Sequence, residues 1–132
     1  MTVIRATEVS LGPENRPDWC LTPRAGYFQL AREGGEHDCH YHEYNELYLI
    51  CRGKAKLWID GGEYYVRAGD IVCIKAGDEH DILEVYGDEG LELFWLYEPS
   101  APGGRFGHLH RSAAKARPHP VPVLPVLPDF PA

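Results

Sequence analysis

Between residues 26 and 97 the chain alternates short β-prone runs with turn residues, at intervals of about eight to twelve residues. The runs are 26–32, 47–51, 55–59, 63–66, 71–74, 80–86 and 91–97, and Gly, Asp or Asn residues stand at most of the breaks. Two of them, 55–59 and 63–66, flank Asp60-Gly61-Gly62 and form the clearest hairpin in the sequence. No part of this region sustains a helical period, so the pattern predicts an all-β antiparallel sandwich or barrel. Residues 2–9 are read as a further short strand, followed by a turn-rich loop over 12–18.

From Pro99 onward the pattern changes. Residues 99–132 are rich in Pro, Gly and basic side chains, a density of proline that bars them from a sheet interior. The expected division is a barrel domain over 1–98 and an extended or disordered tail over 99–132. Val121, Val123, Leu124, Val126 and Leu127 give that tail apolar material to strap onto the barrel or onto a neighbouring subunit.

Composition narrows the class of protein. A chain of 132 residues suits one domain with one core. Its net charge of −7 repels phosphate backbones and anionic membranes, and no basic patch offsets it, so neither nucleic acid nor membrane is an expected partner. The first residues lack a signal-peptide pattern and no apolar run reaches a membrane span, which makes the expected location cytoplasmic. Cys20, Cys39, Cys51 and Cys73 contain no C-x-x-C pair and read as partly buried thiols without disulfides. Cys39, next to His40, falls on the opposite strand face and is given no ligand role.

The chemistry concentrates in His40-Tyr41-His42-Glu43-Tyr44-Asn45-Glu46. Alternate residues of a strand share a face, so His40 and His42 point together, and Glu46 joins them if the turn between preserves register. Two imidazoles and a carboxylate suit a divalent transition metal better than calcium or magnesium. His80 is the natural fourth ligand. An isolated H-x-H is as readily two surface histidines, and the second such pair, His108 and His110, is read that way: structural or solvated, in a loop without a carboxylate.

With both histidine regions placed, the sequence resembles the cupin superfamily. Its first motif, G-x5-H-x-H-x3-4-E-x6-G, is matched by Gly34, His40, His42, Glu46 and Gly53. Its second, G-x5-P-x-G-x2-H-x3-N, is matched by Gly69, Gly77 and His80, with Lys75 at the proline and Glu84 at the asparagine. Glu84 lies roughly 13 Å along a strand from His80, too far for a ligand, and is read as structural. The resemblance covers about residues 26–97. It implies a cupin-type antiparallel β-barrel (a double-stranded β-helix, or jelly roll) in which His40, His42, Glu46 and His80 hold one divalent transition metal: Fe, Mn, Ni, Co or Zn. Three neutral imidazoles and one carboxylate leave such an ion at net +1, and octahedral geometry keeps two positions open.

Tyr48 is the next residue on the ligand face, about 6.7 Å beyond Glu46. It is the candidate catalytic residue, as a proton donor or, with a lowered pKa, a base. A tyrosine here resembles one implicated in cupin-type dimethylsulfoniopropionate lyases, although an aromatic side chain at this place also fills many barrels. The resemblance implies a metal-dependent enzyme, an oxygenase, lyase or isomerase acting on a small organic acid, sugar or phenol. A non-catalytic module that binds or senses a small ligand is the alternative, and fold does not choose between them. Sheet edges and the apolar tail lead us to expect a homodimer.

Overall fold

The computed structural model describes residues 2–30, 35–99, 104–112 and 118–131. Among these are ten β-strands and no helix, hence no helix long and apolar enough to cross a membrane. The strands are β1 (Ala25–Leu30), β2 (Gly35–His37), β3 (Glu46–Arg52), β4 (Lys54–Ile59), β5 (Gly62–Arg67), β6 (Ile71–Ile74), β7 (His80–Tyr86), β8 (Leu91–Tyr97), β9 (His119–Val121) and β10 (Val123–Leu124). Two four-stranded sheets face each other, in the orders β1-β8-β3-β6 and β10-β7-β4-β5. All pairs are antiparallel except β10 with β7. This is the antiparallel sandwich expected from the strand spacing, and the jelly roll that the resemblance implies.

The predicted strands from 47 to 97 recur with their ends moved by at most one residue. Apolar alternation sets which face is inside. In β3, Glu46, Tyr48 and Ile50 are buried while Leu47 and Leu49 are less so; in β6, Val72 and Ile74 are buried and Ile71 is exposed. Ile50, Leu57, Val66, Ile82, Leu91 and Leu93 then meet between the sheets as the core. The β4–β5 hairpin closes through Asp60 and Gly61, both at positive φ (45° and 89°), which is the two-residue turn that matches strand twist. Gly53 ends the first motif for a steric reason. Its φ is +88°, and a Cβ there would sit 1.9 Å from the Gly90 carbonyl oxygen.

Two expectations need correction. Residues 2–9 form no strand: Glu8 and Val9 donate their amides to the Arg5 carbonyl at 2.9 and 3.1 Å in a turn. The tail is neither excluded from sheets nor merely extended. β9 pairs with β2 in a two-stranded sheet, and β10 adds to β7, with Val123 opposite Val85. Proline is tolerated because both are short edge strands, where a missing N–H breaks no interior ladder, and Val121 enters the core. The run 26–32 is observed as β1 to Leu30; Ala31, Arg32 and the motif residue Gly34 lie outside the described residues.

Glu84 is structural, as expected, and the structure supplies a further reason. A bulge in β7 lets Lys56 pair with Glu84 and Leu57 with Ile82, so the strand changes phase between Ile82 and Glu84. Glu84 therefore leaves the His80 face. Its carboxylate lies 3.4 Å from Lys56 Nζ and accepts a short hydrogen bond from the Tyr86 hydroxyl.

Candidate metal centre

Backbone pairing brings the two histidine segments together. His40 and His80 form an antiparallel bridge, each amide donating to the other's carbonyl (3.2 and 2.8 Å). The Gly77 amide donates to the His42 carbonyl at 2.8 Å, and Gly77 takes φ of +90° to make that turn. Asn45 fixes the loop before β3 by accepting the Ala76 amide at 2.8 Å. Glu46 follows as the first residue of β3. The ring centroids of His40, His42 and His80 lie 4.4 to 5.1 Å apart. All four side chains are buried, with exposures of 2, 4, 3 and 2% for His40, His42, Glu46 and His80.

Each imidazole is held by its Nδ1. His40 donates to the Asp38 carbonyl (2.8 Å), His42 to the Gly107 carbonyl (2.7 Å) and His80 to the Asp78 carbonyl (3.0 Å). A carbonyl only accepts, so Nδ1 carries the proton and the Nε2 lone pairs are the free donors. Two of these approach Glu46: its Oε1 lies 3.4 Å from His42 Nε2 and 3.2 Å from His80 Nε2. Glu46 Oε1 and His80 Nε2 are buried and make no hydrogen bond within the chain. Donor atoms bound to one ion at 2.0–2.2 Å stand roughly 3.0–3.5 Å apart, which these separations match.

The charges agree. Burial, then the crowding of the His80 and His108 imidazoles against it, holds His40 far below the usual histidine range, so it stays neutral and able to ligate. Burial opposes ionisation of Glu46, yet the imidazoles of His42 and His80 outweigh it and keep the carboxyl below the ordinary glutamate range. The donor set fits a divalent transition metal, and His40, His42, Glu46 and His80 are the residues that would hold it.

Tyr48 lies where strand phase predicts. It is buried in the cavity wall with its ring 6.1 Å from that of His80. Burial, then the charge of Glu46, pushes its phenol well above the usual tyrosine range. Cys39 stays outside the cluster, with Sγ 3.9 Å from a Glu79 carboxylate oxygen.

The largest correction concerns His108 and His110. They are not in a loop without a carboxylate: both bond Asp38, His108 Nδ1 at 2.9 Å and His110 through a short contact. Asp38 lies 70 and 72 residues away in sequence, so spacing could not reveal it. The His108 ring stacks on His40 with centroids 3.6 Å apart and planes 6° apart. The rest of segment 105–111 clamps the ligand loop. Arg105 pairs with Glu43 at 2.7 Å, Phe106 stacks on Tyr44 at 5.1 Å, Leu109 bridges to Tyr41, and Arg111 lies 4.0 Å over the Tyr41 ring. Tyr97, at the end of β8, places its hydroxyl 3.1 Å from His42 Nδ1. None of these supporting groups carries a motif, though the second H-x-H was a signal.

His40, His42, Glu46, Tyr48, Tyr97 and His108 border a cavity of 460 Å³, whose walls also include Arg24, Phe28, Ile82, Leu93 and Trp95. A jelly roll with these four buried donors, three of them in the wall of its cavity, is a barrel with a candidate metal site. Residues 27–97 match the family described as "Cupin domain", more than half of the chain, and the chain belongs to that family. Solved structures show the same fold. A cupin protein from Bacteroides fragilis is 22% identical, with 82% of this chain and 87% of that one covered and a TM-score of 0.56. A cupin 2 conserved barrel domain protein from Rhodopseudomonas palustris is 17% identical, with 76 and 65% covered and a TM-score of 0.58. In sequence, the chain is similar to the uncharacterised protein y4oW of Sinorhizobium fredii, 36% identical over 73 residues. That match covers 54% of this chain and 32% of the other protein.

Proposed function

We propose that this cupin is a metal-dependent enzyme acting on a small organic molecule, with His40, His42, Glu46 and His80 as ligands of one divalent transition metal. The observation that carries the reading is the pair of buried, unbonded atoms, Glu46 Oε1 and His80 Nε2, set among imidazoles whose Nδ1 protons are already committed. Buried polar atoms without partners are rare unless a ligand is meant to meet them. When bound, the metal supplies a Lewis acid, or an oxygen-binding centre if it is iron(II).

The chain's own residues would do the rest. The cavity admits a small molecule and its apolar walls, Phe28, Leu93 and Trp95, restrict water around it. Tyr48 keeps its proton near neutral pH and would donate it to an oxygen of the substrate. A module that binds a ligand without turning it over is the second reading, favoured by the same preformed cavity.

Protein purified without chelator should hold close to one transition metal per chain, and His80→Ala should lose most of it. Tyr48→Phe should keep the metal and lose about 10²- to 10⁴-fold in turnover, in a screen of small carboxylates, sulfonium compounds, sugars and catechols with and without oxygen. A metal-loaded protein that binds a compound tightly and converts it under neither atmosphere would establish the second reading instead.

A further inference from the structure

The cavity holds one cationic side chain that the metal centre does not use. Among the described residues Arg24 is the only Lys or Arg in its wall. It directly precedes β1, and its carbonyl accepts the Tyr97 amide at 2.9 Å. The same Tyr97 reaches His42 with its hydroxyl, so one residue links the Arg24 backbone to the histidine cluster.

The guanidinium is held but not satisfied. Its centre lies 4.8 Å over the Phe106 ring, which covers one face. Its two terminal nitrogens are 3.4 and 3.5 Å from the oxygens of Glu14, beyond the 2.7–2.9 Å of a strong charge-assisted bond. Its Nε is buried and makes no hydrogen bond within the chain. Stacking and the loose Glu14 contact fix the fork, which leaves the buried Nε of this cavity-lining residue without a partner in the chain. We propose that Arg24 determines specificity by binding the carboxylate of a small monoanionic organic acid whose other end lies at the His40–His42–His80 cluster.

Charge selects the class. A guanidinium fork matches a carboxylate in two parallel bonds. Glu36, Asp38 and Glu46 line the same cavity, so a phosphate dianion would meet more repulsion than a single carboxylate. In the proposed centre the metal would offset the charge of Glu46, and Asp38 is engaged by His108 and His110. The inference rests on the proposed metal centre for the position of the substrate's other end, but not for the carboxylate contact.

The test uses the full chain, loaded with zinc and, separately, stripped by chelator. Binding of 2-hydroxypropanoate, butanoate and benzoate is compared with that of their primary amides by ligand-observed NMR, with metal content measured alongside. Wild-type protein should bind at least one acid roughly 10- to 100-fold tighter than its amide, and Arg24→Gln should abolish that preference with metal content unchanged. Arg24→Lys should restore only part of it. Equal binding of acids and amides, no acid binding up to about 10 mM, or a preference that survives Arg24→Gln would overturn the proposal. If the metal reading alone is wrong, zinc will not load, yet the stripped protein will still prefer acids in an Arg24-dependent way.

Discussion

The Gly107 carbonyl is the acceptor that orients His42, and Gly107→Ala tests how far metal binding depends on it. His42 Nδ1 has one proton and two neighbours: the Gly107 carbonyl at 2.7 Å and the Tyr97 hydroxyl at 3.1 Å. The shorter contact to the better acceptor should hold the proton. Gly107 sits at φ +93° with nothing within 4 Å of where a Cβ would be. An alanine there is thus not clashed but conformationally strained, by about 1–2 kcal/mol. The variant relieves that strain by rotating the peptide, which takes the carbonyl off His42. Recovering the productive geometry on metal binding then costs the same amount, so affinity should fall about 5- to 30-fold. Tyr97→Phe leaves the carbonyl in place and should cost less than about 3-fold. The assay is competition for zinc against a chelating dye at pH 7.5, with a metal-free melt to check the fold. Unchanged affinity in Gly107→Ala, or a larger loss in Tyr97→Phe, would refute the reasoning.

Acid should destabilise the metal-free protein through His40. Its native pKa is depressed from 6.5, so below that value the unfolded chain binds the extra proton, and stability is lost at up to about 1.4 kcal/mol per pH unit. Urea midpoints at pH 7.5 and 5.5 measure this, and His40→Leu should show a shallower slope. Gly53→Ala should cost at least about 2–4 kcal/mol, because the new Cβ meets the Gly90 carbonyl at 1.9 Å and φ is +88°. Calorimetry should then show a Tm lower by roughly 10 °C or more. A homodimer is expected from the exposed apolar side chains Trp19, Leu21, Tyr64 and Ile71. A monomeric mass by light scattering at tens of micromolar would count against it.

The sequence by itself determined the strands from 47 to 97 and the grouping of His40, His42 and Glu46. Both rest on local rules: period-2 alternation assigns faces, Gly and Asp mark turns, and His40, His42 and Glu46 share a phase within seven residues. His80 became legible through a second spaced motif, and Tyr48 through the same phase counting. Whatever depends on residues far apart in the chain was left to the tertiary structure. Asp38 meets His108 and His110 across about seventy residues, the Gly107 carbonyl reaches His42 across 65, and Arg24 acquires a meaning only beside Tyr97 and the cavity. The tail shows the same limit. Proline content correctly forbade an interior strand, but whether residues 119–124 find an exposed edge depends on where β2 and β7 leave one. Edges, cavities and the carbonyls that orient imidazoles are made by packing, and no one-dimensional period encodes them.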